Sequence, residues 1–203
     1  MSTPAGELLR RVESIASSYF PREMSAAHDW FHVQRVRANA AELLTGCPDA
    51  DPAIVHLAVL LHDIGRAKED EGAIANHAAW GAEESEKLLR EQEASEETIE
   101  AKIVSDADNL DALGAVGIAR CFAHGGEIGS PIHDPSLPPE GDDSDSGRTQ
   151  FNHLQKKILD LPERMDTEAG EELAGRRAGF VRRFIEEFDR EVAETGSPVV
   201  GEE

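Results

Sequence analysis

His62 and Asp63 stand side by side in the stretch LAVLLHDIG, residues 57–65, whose other members are mostly apolar. Burying an imidazole and a carboxylate costs free energy unless each finds a partner. Together they are what a hard-to-borderline divalent cation accepts. His32 lies about thirty residues upstream, and Asp106, Asp108 and Asp111 follow about forty-five residues downstream in IVSDADNLDALGAVGIAR. Imidazole nitrogen with carboxylate oxygen suits manganese, iron, zinc, cobalt or magnesium, in a site with positions left for water and substrate. Each group also has a plainer reading. The His62-Asp63 pair can be hydrogen-bonded at a helix C-terminus with Gly65 as the stop. His32 can simply pack at a helix edge. The acids can cap a helix or pair with Arg120, though acids in apolar company must be paired or metal-bound somewhere.

Helical spacing of apolar residues supplies the elements that must carry these groups. A first helix is expected over about Gly6 to Phe20, ended by Pro21. A second, capped by Asp29, runs to about Leu44 and bears His32; His28 shares its face if the helix begins that early. The third, about Asp51 to Ile64, is apolar nearly all round. It should therefore be the central helix, with the His-Asp pair at its end. Residues 65–72 read as a charged loop in which Arg66 and Lys68 are either solvated or meet a phosphate. A fourth helix, about Ile74 to Gln92, has His77 near its start as a possible further ligand. The acidic block EQEASEETIE reads as a solvated turn with Ser95 and Thr98 as candidate caps. A fifth helix, about Glu97 to Asp108, brings in the acids, with Asp108 and Asp111 on one face. Regular structure is expected to fade into a long loop over about 123–148. Two last helices follow, about Gln150 to Leu161 and Thr167 to Glu194, and residues 196–203 read as a disordered tail. No stretch alternates like a strand. The expectation is an all-α, single-domain helical bundle over residues 1–195.

Composition narrows the partners. The chain has 203 residues, enough for one well-buried core. Its 41 acidic against 20 basic residues give a formal net charge of -21. That field opposes duplex nucleic acid and anionic membranes, and an anionic substrate would need a cation or local arginines. Many carboxylates and five lysines against fifteen arginines suggest a halophilic surface, its self-repulsion screened by salt. Two cysteines without a CxxC pattern, and no secretory leader, point to a reducing cytoplasm. The longest apolar run, about Ala53 to Leu61, is interrupted by His56 and too short for a bilayer.

The order of motifs resembles the HD-domain superfamily of metal-dependent phosphohydrolases. DWFHVQRV is similar to that family's first-ligand helix, LLHDIG to its signature pair and DADNLDALGAVGIAR to its final-ligand helix. FNHLQKKILDLPERMDTEAG, with the helix after it, is similar to the C-terminal part of a bacterial and archaeal branch of predicted hydrolases and nucleotide pyrophosphohydrolases. The resemblance covers about residues 10–190. It implies a helical bundle of the HD type, with His32, His62, Asp63 and Asp108 as ligands of a divalent cation that activates water on a phosphate ester or anhydride. The substrate would be a small phosphorylated compound, most naturally a nucleotide. Asp63 would also orient its neighbours, and Asp111, Arg35, Arg66 or Lys68 would handle the proton or the phosphate tail. The chain departs from the family in two places. EETIE runs directly into AKIVSDAD, where the branch has a further histidine-bearing helix, and Asn109 stands where a basic residue is common. The rival expectation that follows is an HD-fold ligand-binding or interaction module with weakened or absent catalysis.

Overall fold

A computed structural model describes residues 4–21, 24–25, 27–89, 99–135, 137 and 149–195. The described residues are helical, without strands. α1 spans Pro4–Ser17, α2 Trp30–Leu43 and α3 Pro52–Leu61. α4 (Arg66–Asp70) and α5 (His77–Leu89) precede α6 (Ile99–Asp111) and α7 (Gly114–Ile128). α8 (Gln150–His153) continues into a wide turn, Leu154–Ile158, and a tight one, Leu161–Arg164, before the long α9 (Glu168–Thr195).

The all-round apolarity of α3 is spent on two cores. Val55 and Val59 join Val36, Ala40 and Leu43 of α2, Ile103, Ala107 and Leu110 of α6, and Leu173, Ala174, Ala178 and Val181 of α9. Leu57, Leu60 and Leu61 turn the other way, onto Val12, Ala16, Phe20 and Val33. Most of these side chains are fully buried, and each of the larger ones contributes roughly 1.5–3 kcal/mol of transfer free energy. The helices that carry the candidate ligands, α2, α3 and α6, are thus the ones held most firmly.

Four expectations are corrected. α3 stops at Leu61, with His62 as its C-cap. The His-Asp pair therefore sits on the turn leaving the helix and not within it. Residues 66–70 form a short helix, because RAKED is built of good helix formers and Glu69 is tied to the start of α5 through the His77 N–H. The loop expected from 123 begins later. α7 continues through His124-Gly125-Gly126 to Ile128 and ends at Gly129, whose φ of 70° favours glycine. Gly125 is there for packing: a Cβ on it would lie 2.2 Å from Gln150 Cγ. The helix expected over about 150–161 is a four-residue α-helix followed by wide and tight turns. The caps expected at Ser95 and Thr98, the rest of the 123–148 loop beyond residue 137 and the tail at 196–203 lie outside the described residues. No described helix is long and apolar enough to cross a membrane.

Candidate metal centre

Asp29 starts α2 by accepting from the His32 N–H at 2.8 Å, so the cap that begins the helix also holds the histidine's backbone. The His32 side chain is fully buried. Its Nδ1–H donates to Asp111 Oδ2 at 2.8 Å. His62 Nδ1–H donates to the Val59 carbonyl, one turn back, also at 2.8 Å. A carbonyl and an ionised carboxylate only accept, so both rings carry their proton on Nδ1. In the neutral rings, both Nε2 atoms then present lone pairs, 3.4 Å apart.

Two carboxylates complete the cluster. Asp63 Oδ2 lies 3.6 Å from His32 Nε2 and 3.7 Å from His62 Nε2, and Asp108 Oδ1 lies 3.3 Å from His32 Nε2. One ligand atom each from His32, His62 and Asp108 falls within 4.8 Å of the others, and the same holds for His28, His32 and Asp63. Asp63 is buried, whereas the Asp108 side chain keeps half its surface exposed, so the cluster is open on the α6 side. Opposed lone pairs flanked by carboxylates are stable only with a proton or a cation between them. This donor set fits a divalent metal.

The electrostatics agree. Burial works against the Asp63 charge. The His28 hydrogen bond and the charges of His62, His28 and Arg66 outweigh it and hold the carboxyl well below the ordinary range. Desolvation also opposes Asp108, which His32 and His62 keep low. Asp111 is held at about 2: desolvation is overcome by hydrogen bonds from His32 and Arg35 and by the Arg120 charge. Burial pushes His32 down, but its bonds to Asp108 and Asp111 prevail and raise it.

His32, His62, Asp63 and Asp108 are thus brought together. The other candidates are placed differently. Asp111 faces away from the cluster: besides His32, it accepts from Arg35 Nε at 2.8 Å and Nη2 at 3.1 Å, and from Arg120 Nη1 at 2.7 Å. Arg66 stands beside Asp63, its Nε 3.4 Å from Oδ1, and pairs with Glu69 at 3.1 Å. Lys68 turns to the Trp80 ring, 4.9 Å from its centroid. His77 is bound by Glu69 at 2.7 Å.

Residue spacing gives two participants too little weight. His28 precedes α2 in a turn, yet its Nδ1 reaches Asp63 Oδ2 at 3.0 Å. Arg120 joins Asp111 to the Ala27 carbonyl and so ties α7 to the turn before α2. Pairing of Arg120 with an acid is among the readings the chain allows; its second bond has no signal in the chain. Asp106, the first acid of DAD, is structural. Fully buried, it accepts from the Asp166 and Thr167 N–H groups and from Thr167 Oγ1 at the start of α9.

Residues 30–113, which contain all four clustered side chains and Asp111, match the HD domain. The uncharacterised protein YpgQ of Bacillus subtilis is 31% identical over 188 residues, 83% of this chain and 86% of that protein. A crystal structure of YpgQ in complex with ADP superposes with a TM-score of 0.63 at 27% identity, over 91% of this chain and 97% of that one. An HD-superfamily hydrolase from Bacillus thuringiensis gives a TM-score of 0.71 at 32% identity, over 93% and 98% of the two chains. With its His62-Asp63 pair on the turn after α3 and this degree of likeness along nearly its whole length, the chain belongs to the HD-domain superfamily.

Proposed function

We propose that this chain is a metal-dependent phosphohydrolase that cleaves a phosphate ester or anhydride of a nucleotide. The observation that carries the reading is the pair of Nε2 lone pairs of His32 and His62, each locked by a hydrogen bond behind it and flanked by Asp63 and Asp108. Those four residues would hold the divalent cation. When bound, it lowers the pKa of water and draws charge from a phosphoryl oxygen. We take the span 1–195 as one catalytic domain. The ADP held by YpgQ supports a nucleotide as ligand, since that relative shares the fold over nearly its full length.

The chain's own side chains have distinct roles in this scheme. Asp111, with its charge met by Arg35 and Arg120, keeps the His32 ring turned so that Nε2 faces the cluster. His28 does the same for Asp63 by hydrogen-bonding Oδ2. Arg66 is partly exposed beside Asp63 and is the guanidinium best placed for a phosphate oxygen, by exchanging Glu69 for substrate. Lys68 serves the outer part of the substrate by leaving the Trp80 ring. Arg35 acts on the substrate only through Asp111 in this arrangement. The arginines and the cation together supply the positive charge that a chain of net charge -21 otherwise lacks.

The test is product release from nucleoside triphosphates and from a generic phosphodiester, with manganese, magnesium, cobalt or zinc added in turn. Phosphate released from the triphosphate marks a phosphatase, pyrophosphate together with nucleoside monophosphate marks a pyrophosphohydrolase, and an alcohol with a phosphomonoester from the phosphodiester marks a phosphodiesterase. Activity that disappears in Asp63→Ala supports the reading. Activity unchanged in that variant rejects this centre, and nucleotide binding without turnover over hours selects the non-catalytic module.

A further inference from the structure

A cavity of about 390 Å³ opens between α2, the start of α7 and α9, away from the His-Asp cluster; Glu42, Gly114, Ala115, Arg176, Arg177 and Phe180 are among its lining residues. Its charge is unbalanced. Arg176 and Glu42 pair at 3.2 Å and cancel. Arg177, beneath them and half-buried, spends its hydrogen bonds on neutral acceptors: the Leu110 carbonyl from Nη1 at 2.6 Å and Asn39 Oδ1 from Nη2 at 2.8 Å. Among the described residues no carboxylate pairs with it. A half-buried guanidinium without a counter-charge, in a chain carrying 21 surplus negative charges, marks a place for an anion.

The guanidinium is also held in place. Asn39, which fixes one side of it, is itself tied by Nδ2 to the Ala107 carbonyl at 2.9 Å, so little side-chain entropy remains to be lost on binding. Gly114, whose φ of 74° favours glycine, packs against the Arg177 stem; a Cβ there would stand at ordinary contact distance, 3.5 Å. Beside the arginines, Phe180 leaves 43% of its surface exposed, an apolar wall next to a cationic floor.

We infer that this cavity is a second ligand site, for a small organic oxyanion with an apolar body. The oxyanion sits on Arg177 and on Arg176 released from Glu42, and the apolar body lies against Phe180. The size is in the range of small-molecule pockets. The site shares no side chain with the proposed metal centre, so it stands or falls independently of the hydrolase reading.

The experiment titrates phenyl phosphate and, separately, benzoate into the full chain by calorimetry, with EDTA present so that no turnover occurs. The expected result is saturable 1:1 binding. Arg176→Glu and Phe180→Ala, both at exposed positions, weaken it at least about fivefold with unchanged melting temperature, and Asp63→Ala leaves it as it was. Binding of both probes defines a general oxyanion site, and binding of phenyl phosphate alone defines a phosphomonoester site. Absence of saturation up to about 10 mM for both probes overturns the proposal. So does binding that Asp63→Ala abolishes and Arg176→Glu does not touch.

Discussion

The Nε2 atoms of His32 and His62 face one another across 3.4 Å, while both Nδ1 protons are engaged, one by Asp111 and the other by the Val59 carbonyl. The groups behind the rings, more than the rings themselves, decide what the cluster can bind. A histidine whose Nδ1 were free could turn or change tautomer and present a proton where a lone pair is needed.

Asp111→Asn tests this directly. The amide cannot balance two guanidiniums, so the affinity for manganese falls about 10–100-fold. Stability falls by about 3–5 kcal/mol, because Arg35 and Arg120 lose a buried counter-charge. Calorimetric metal titration and urea unfolding measure the two effects. Unchanged affinity would show that the carboxylate has no hold on the His32 ring.

The two acids of DAD should separate cleanly. Asp106→Ala removes three bonds at the start of α9; it costs about 1–3 kcal/mol and leaves metal affinity intact. Asp108→Ala does the reverse: the ion is lost, while the metal-free protein loses little stability because the half-exposed carboxylate is screened by solvent. A shared phenotype would contradict the division of labour.

Acidity acts on the site through His32, whose pKa is raised. A raised folded-state value contributes stability that is present below the ordinary histidine value and lost as pH rises through the raised one. Metal-free protein is therefore favoured on the acid side of neutrality. Proton and ion compete for the same Nε2, so apparent metal affinity moves the opposite way and falls as pH drops. Proton release on metal binding, read from calorimetry in buffers of different ionisation enthalpy, checks the sign.

At lower pH the carboxylates dominate. Asp111, held at about 2, contributes stability that is complete above the ordinary aspartate value of about 3.9 and is lost as pH falls toward 2. Its share is on the order of 2 kcal/mol. Acid titration of the unfolding free energy should show that loss in the wild type and a flatter limb in Asp111→Asn.

Salt should stabilise the chain. With a net charge of -21, self-repulsion opposes compaction until it is screened, which at molar ionic strength happens within about 3 Å. The melting temperature rises between low and molar potassium chloride on this argument. A flat or falling curve would remove the halophilic reading.

Much of the architecture is legible in the chain, because helix periodicity, caps and stops act within a few residues. Asp29 as a cap and α3 as the buried centre can be read from type and spacing, whereas the choice of Asp108 among the three nearby acids as the partner of His32, His62 and Asp63 is what the resemblance implies. Other assignments cannot be read at all. Gly125 falls in the stretch that reads as a loop, and its packing against Gln150 within α7 has no signal in the chain. That Lys68 lies over the Trp80 ring and that Arg35 puts both prongs on Asp111 likewise has no signal in the chain.

Residue type and order determined that the helices would deliver two imidazoles and two carboxylates toward one another. Which neighbour each remaining polar group would take was decided only by the packing of α2, α6 and α7. Asp111 turns its back on the cluster because three cationic or proton-donating partners from two other helices surround it there. A buried charge goes to the partners that repay its desolvation, and two of the three, His32 and Arg35, lie far away in sequence.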